Sequence, residues 1–124
     1  MRLKTAAGRS LATPSTVEGA KVLSPRGDKV GTIHTIMFDE VSGAIAYLVL
    51  KPAGGLFGGR GDKLHPAPWS CFTFDPERFE YVADFDADAL KASPAYDADQ
   101  LASSAYAWGE QVQRHFTAAA GGTA

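Results

Sequence analysis

The chain has 124 residues, a mass of 13.1 kDa and a formal net charge of −2, with 45% hydrophobic and 21% charged residues. That length fits one domain of ordinary size, and the apolar share excludes wholesale disorder. No stretch reaches the roughly 18 apolar residues that a spanning helix needs, and a near-neutral balance argues against nucleic acid as the main partner.

Residues 1–15 are small, polar and basic without periodicity, and are expected to form a flexible arm. No apolar run follows Arg2, Lys4 and Arg9, so no secretory leader is expected. From Val17 onward short β-type runs alternate with turn signals, as in a small barrel or sandwich. Residues 17–23 are predicted as the first strand, ended by Pro25 and Gly27, which supply turn geometry. Residues 29–38 form the second. Its apolar positions Val30, Ile33 and Ile36 change phase, which predicts a bulge near Gly31. Residues 39–43 then make a hairpin loop ending in glycine.

Residues 44–51 are the strongest strand. Ile45, Tyr47 and Val49 point one way, while Ala46, Leu48 and Leu50 point the other. An antiparallel sheet normally leaves one face wet, so the second apolar face needs a cover. The chain's own C-terminal segment or another subunit can supply it. A Gly-rich loop follows at 52–61, with Leu56 and Phe57 at its tip. Residues 63–69 carry Pro66 and Pro68, which restrict them to a sheet edge or a barrel corner. Residues 71–74 and 79–82, separated by a turn at 75–78, read as a second hairpin.

After Asp84 the period becomes helical. A short helix over 86–92 stops before Pro94. Asp97 and Gln100 have capping-box spacing. Leu101, Ala105, Trp108, Val112 and Phe116 fall at intervals of three and four, which predicts one helix over about 97–116. The expected plan is an arm (1–15), a β domain (16–85), a helical extension (86–117) and a disordered tail (118–124).

Charge divides along the chain. Residues 1–74 hold nine Lys/Arg and five Asp/Glu, whereas residues 75–110 hold two basic and nine acidic residues. Such an asymmetry can steer a basic partner, or it can simply solvate one face.

Sites for chemistry are sparse. Gly54 and Gly59 have P-loop spacing, but Arg60 and Gly61 stand where Lys and a hydroxyl are required. Asp84, Asp86 and Asp88 alternate like the start of an EF-hand loop, yet Ala89 and Ala95 occupy the positions of its Gly and Glu. Capping by Asp86 accounts for the run better. His34, His65 and His115 have no zinc-ligand spacing, and the lone Cys71 has no strand–turn–helix elbow to make it a nucleophile. A solitary cysteine also points to a reducing, cytoplasmic compartment. The aromatic cluster Trp69, Phe72, Phe74, Phe79, Tyr81 and Phe85 could stack bases, but six acids in 75–88 against Arg78 would repel phosphates. Core packing is the expected role. No catalytic residue, cofactor or metal is expected, and the chain reads as a non-enzyme.

The segments Gly19-Ala20-Lys21-Val22, Asp28-Lys29-Val30-Gly31-Thr32-Ile33, Ile36-Met37-Phe38-Asp39, Ser42-Gly43-Ala44-Ile45-Ala46-Tyr47-Leu48-Val49-Leu50 and Ala67-Pro68-Trp69 resemble, in order and spacing, the PRC-barrel domain family. The resemblance covers about residues 16–85, and the later helical region is similar to extensions of stand-alone bacterial members. It implies a mainly β fold: a small, strongly bent antiparallel barrel with a C-terminal helical extension. It also implies a binding module, as in the cytoplasmic part of the photosynthetic reaction-centre H subunit and in a ribosome-maturation factor. The membrane helix of the former and the separate N-terminal domain of the latter have no counterpart in these residues.

The functional expectation is a non-catalytic protein-interaction or adaptor module, cytoplasmic and homodimeric, with an unidentified protein partner, no nucleic acid and no integral membrane segment. Tyr47 on the doubly apolar strand, Trp108, Val112 and Phe116 on the helix stripe, and Leu56 and Phe57 on the loop are the expected contact residues. Two other readings stand beside it: an accessory subunit of a photosynthetic or electron-transport complex, and a small-ligand binder using the Gly-rich loop.

Overall fold

The computed structural model describes residues 1–53, 63–103 and 108–121. Residues 54–61, with Leu56 and Phe57, lie outside the described residues, as does Ala105. In chain order come β1 (Arg2–Lys4), β2 (Ser10–Ala12), α1 (Pro14–Val17), β3 (Lys21–Leu23), β4 (Lys29–Phe38), β5 (Ile45–Pro52) and β6 (His65–Pro68). One turn of 3-10 helix (Trp69–Cys71) then leads to β7 (Phe72–Asp75), β8 (Glu80–Ala83), α2 (Ala87–Ala92), α3 (Ala98–Ser103) and α4 (Gly109–Gly121).

Six strands form one sheet in the order β6-β5-β4-β3-β8-β7, antiparallel throughout except for the parallel β3–β8 pair. The two edge strands, β6 and β7, are joined only by Trp69–Cys71. A flat sheet would hold its outer strands about 24 Å apart at the usual spacing, whereas so short a link reaches no more than about 14 Å. The sheet must therefore curl on itself. Pro66 and Pro68 sit on the edge strand β6, where a missing N–H costs no ladder bond.

Curling needs local irregularity, and β4 carries it. Its register shifts against β3 beside Gly31 and against β5 between Ile33 and Thr35, so the expected bulge is present. Gly31 is required there. A Cβ at that position would run into the Lys51 carbonyl oxygen and would stand 3.3 Å from Pro52 Cα. At the β4–β5 hairpin, Gly43 adopts φ 80°, and Asp39 Oδ1 accepts from the Val41 and Ser42 amides at 2.8 and 3.0 Å.

Tyr47, Leu48, Val49 and Leu50 of β5 are all buried. The ring of Tyr47 meets Trp108, just before α4, so the chain's own C-terminal segment supplies the cover that this strand demands. By alternation, Leu48 and Leu50 face the other way and join Val22, Val30 and Ile33 in the core. Leu90 of α2 is fully buried in the same core.

Four local expectations change. Residues 1–15 are not without regular structure: β1 and β2 pair in register, with Leu3 opposite Leu11. Val17 belongs to a helical turn that starts at Pro14, and the strand begins only at Lys21. Where one helix was expected over 97–116, two occur among the described residues. Trp108 lies in a turn and α4 starts at Gly109, whose poor helix propensity suits a terminus rather than an interior. Helix α4 also continues to Gly121, into the expected tail.

Candidate interaction surface

Two ionisable groups of the interior, His65 and Cys71, have structural partners. His65 is buried, and its Nδ1 lies 2.8 Å from Ser93 Oγ. That hydroxyl donates to the Leu90 carbonyl at 2.6 Å, which leaves it to accept from Nδ1–H. Burial holds His65 below the usual histidine range. Cys71 has Asp84 as its ionisable neighbour. Burial and that carboxylate push the thiol up to about 12, so it is not a nucleophile near neutral pH.

Asp86 caps α2 by accepting from the Ala89 amide at 2.9 Å, and burial raises the carboxyl of Asp84. The acidic run 84–88 is thus a helix entry. Among the described residues no three His, Cys, Asp or Glu side chains converge on a metal position.

Four of the expected contact residues lie together inside the chain. Tyr47 and Trp108 meet edge to face with centroids 5.0 Å apart, and Phe116 packs on Phe85 at 4.8 Å. Val112 is fully buried between them in sequence on α4. Trp108 Nε1 donates to the Leu101 carbonyl, and Gln113 donates to the Tyr47 hydroxyl, both at 3.4 Å. This cluster holds the helical extension on the barrel.

Among the described residues, exposed apolar surface is found elsewhere. One part is the β4–β5 hairpin tip, with Phe38 and Val41. The other is built by β1, β2 and the β7–β8 turn. Leu3 and Leu11, each 44% exposed, are direct cross-strand neighbours. Phe79 is 55% exposed and has φ 55°, a left-handed conformation that is strained for a bulky residue. The turn that sets it there is fixed by Asp75 Oδ1, which accepts from the amides of Glu77 and Arg78.

The hairpin is held over this turn by Arg2. Its guanidinium carbon stands 4.8 Å from the Phe74 ring centre and 5.1 Å from that of Phe79. Thr13 closes the hairpin by donating its amide to the Met1 carbonyl at 2.8 Å, and the terminal ammonium donates to the hydroxyls of Thr13 and Thr16. Leu3, Phe79, Arg2, Lys4 and Ser10 line a shared cleft.

Sequence reasoning missed this surface because each strand has three residues, too few to show alternation. The one signal was the spacing of Leu3 and Leu11 about Gly8. Phe79 also departs from expectation: Phe72, Tyr81 and Phe85 enter the core, but Phe79 does not.

A comparison with curated proteins gives no match. The family model for the PRC-barrel domain matches residues 13–90, which takes in the whole six-stranded sheet and most of α2. The chain belongs to the PRC-barrel domain family.

Proposed function

We propose that the chain is a non-catalytic, cytoplasmic protein-interaction module that receives its partner on the β1–β2 hairpin and the adjoining β7–β8 turn. The observation that carries this reading is the clustering of Leu3, Leu11 and Phe79 as exposed large apolar side chains on one part of the surface. The membership in the PRC-barrel family supports a binding role. The Cys71 thiol, pushed up to about 12, speaks against nucleophilic chemistry at that group.

The reading does not require the homodimer expected from the sequence, because Tyr47, Trp108, Val112 and Phe116 are buried within one chain. An accessory role on a photosynthetic or electron-transport complex is the special case in which the docked partner is that complex. Membrane fractionation of the native protein distinguishes it.

The test is affinity co-purification of the tagged full chain from its native cells, run beside a Leu3→Glu/Leu11→Glu variant. A partner recovered with the parent and lost with the folded variant supports the assignment. Equal recovery by both overturns it.

A further inference from the structure

We propose that the free edge of β1 and the cleft beside it bind an extended segment of a partner protein in which acidic and large apolar residues alternate. The proposal rests on the interaction-module reading and specifies the partner's chemistry at that site.

Strand β1 alternates cation, apolar residue, cation: Arg2, Leu3, Lys4. Residues directly opposite in paired strands interact, and opposite charges there are favourable. The complementary strand therefore places carboxylates opposite Arg2 and Lys4 and an apolar side chain opposite Leu3.

Charge agrees with this pattern. Residues 1–17 contain Arg2, Lys4 and Arg9 and no Asp or Glu, although the whole chain is net acidic. Among the described residues neither Arg2 nor Lys4 has a salt-bridge partner. At the β7–β8 turn, Asp75 accepts from two turn amides and Glu80 lies 4.0 Å from Arg78.

Backbone and packing point the same way. The first sheet has only β1 and β2, so each strand keeps one edge without a strand partner among the described residues. A two-stranded pair is marginal in water, and a third strand stabilises it. Phe79 presents an exposed ring on this cleft, which an apolar side chain entering it would bury. A second copy of this chain does not supply the segment. Its own alternating run, Asp84 to Asp88, has Phe85 buried in the core and Asp86 capping α2.

The experiment is fluorescence polarisation of the full chain with a labelled peptide alternating Glu with Leu and Phe. A counterpart with Lys in place of Glu serves as the charge-reversed control. The acidic peptide binds and the basic one does not, and added salt weakens the binding. Lys4→Glu, an exposed change, weakens it about tenfold. Phe79→Gly, which removes a ring that lines the cleft, weakens it as well. Equal binding of both peptides, or indifference to both substitutions, overturns the proposal. So does binding of phosphatidylglycerol vesicles in place of the peptide, or self-association that the peptide does not compete. A native partner whose retention needs Leu3 and Leu11 but ignores Lys4→Glu would leave the module reading standing and sink this one.

Discussion

The rings of Tyr47 and Trp108 meet edge to face at 5.0 Å, with an interplanar angle of 71°, and join the central strand β5 to the turn that opens α4. Strand β5 is apolar on both faces, so the sheet is not satisfied until this second face is covered. Trp108 covers Tyr47 while Phe116 packs on Phe85, and each buried aromatic of this size contributes roughly 2–3 kcal/mol.

Trp108→Ala should therefore lower the unfolding free energy by about 3–5 kcal/mol, read as a shifted urea midpoint, with native mass unchanged. A fall from dimer to monomer mass would place the Tyr47–Trp108 contact between exchanged chains instead.

Gly31→Ala tests the curl of the sheet. The new methyl has to displace the Lys51 backbone, so a loss of about 2–3 kcal/mol is expected in chemical denaturation. A variant as stable as the parent would show that β4 and β5 do not approach so closely.

Much of this architecture could be read from the residues. Strand β4 was expected with its observed bounds and with its bulge, because ten residues give alternation enough length to show a change of phase. The Asp86 cap and the Asp97–Gln100 capping box also appear as predicted, the latter with hydrogen bonds of 2.9 and 2.8 Å. Local chemistry fixes such features. What the residues could not show depends on distant partners. The N-terminal hairpin exists because Arg2 finds Phe74 and Phe79, more than seventy positions away. The helix stripe identified the buried positions Trp108, Val112 and Phe116 correctly, but periodicity says nothing about which chain's barrel lies beneath them.

Acid should destabilise the fold through His65. Its folded-state value lies below the unfolded value of 6.5, so the unfolded chain takes up the proton first. Stability is complete above about pH 6.5 and falls as the pH drops through and below that value. His65→Gln should flatten this part of the profile, measured as melting temperature against pH. Asp39, held below its usual value by the Ser42 and Val41 amides, adds a further loss only below about pH 4. The raised carboxyl of Asp84 acts in the opposite sense, since the folded chain there binds its proton more readily.

Alkali should act through Cys71. The unfolded thiol ionises near 9.0 and the folded one near about 12, so stability declines as the pH rises above 9. A thiol reagent at pH 8 should label Cys71 only at the rate of unfolding. Immediate stoichiometric labelling of the folded chain would contradict its burial.

The claim that the β1–β2 hairpin receives the partner is tested most directly by photo-crosslinking in native cells. A photoreactive residue is placed at Leu11 in one strain and at Asp88, on α2, in another. A discrete adduct with one other protein from position 11 and none from position 88 is the predicted result. Adducts only from position 88, or none from either in cells that express the folded chain, would contradict the assignment.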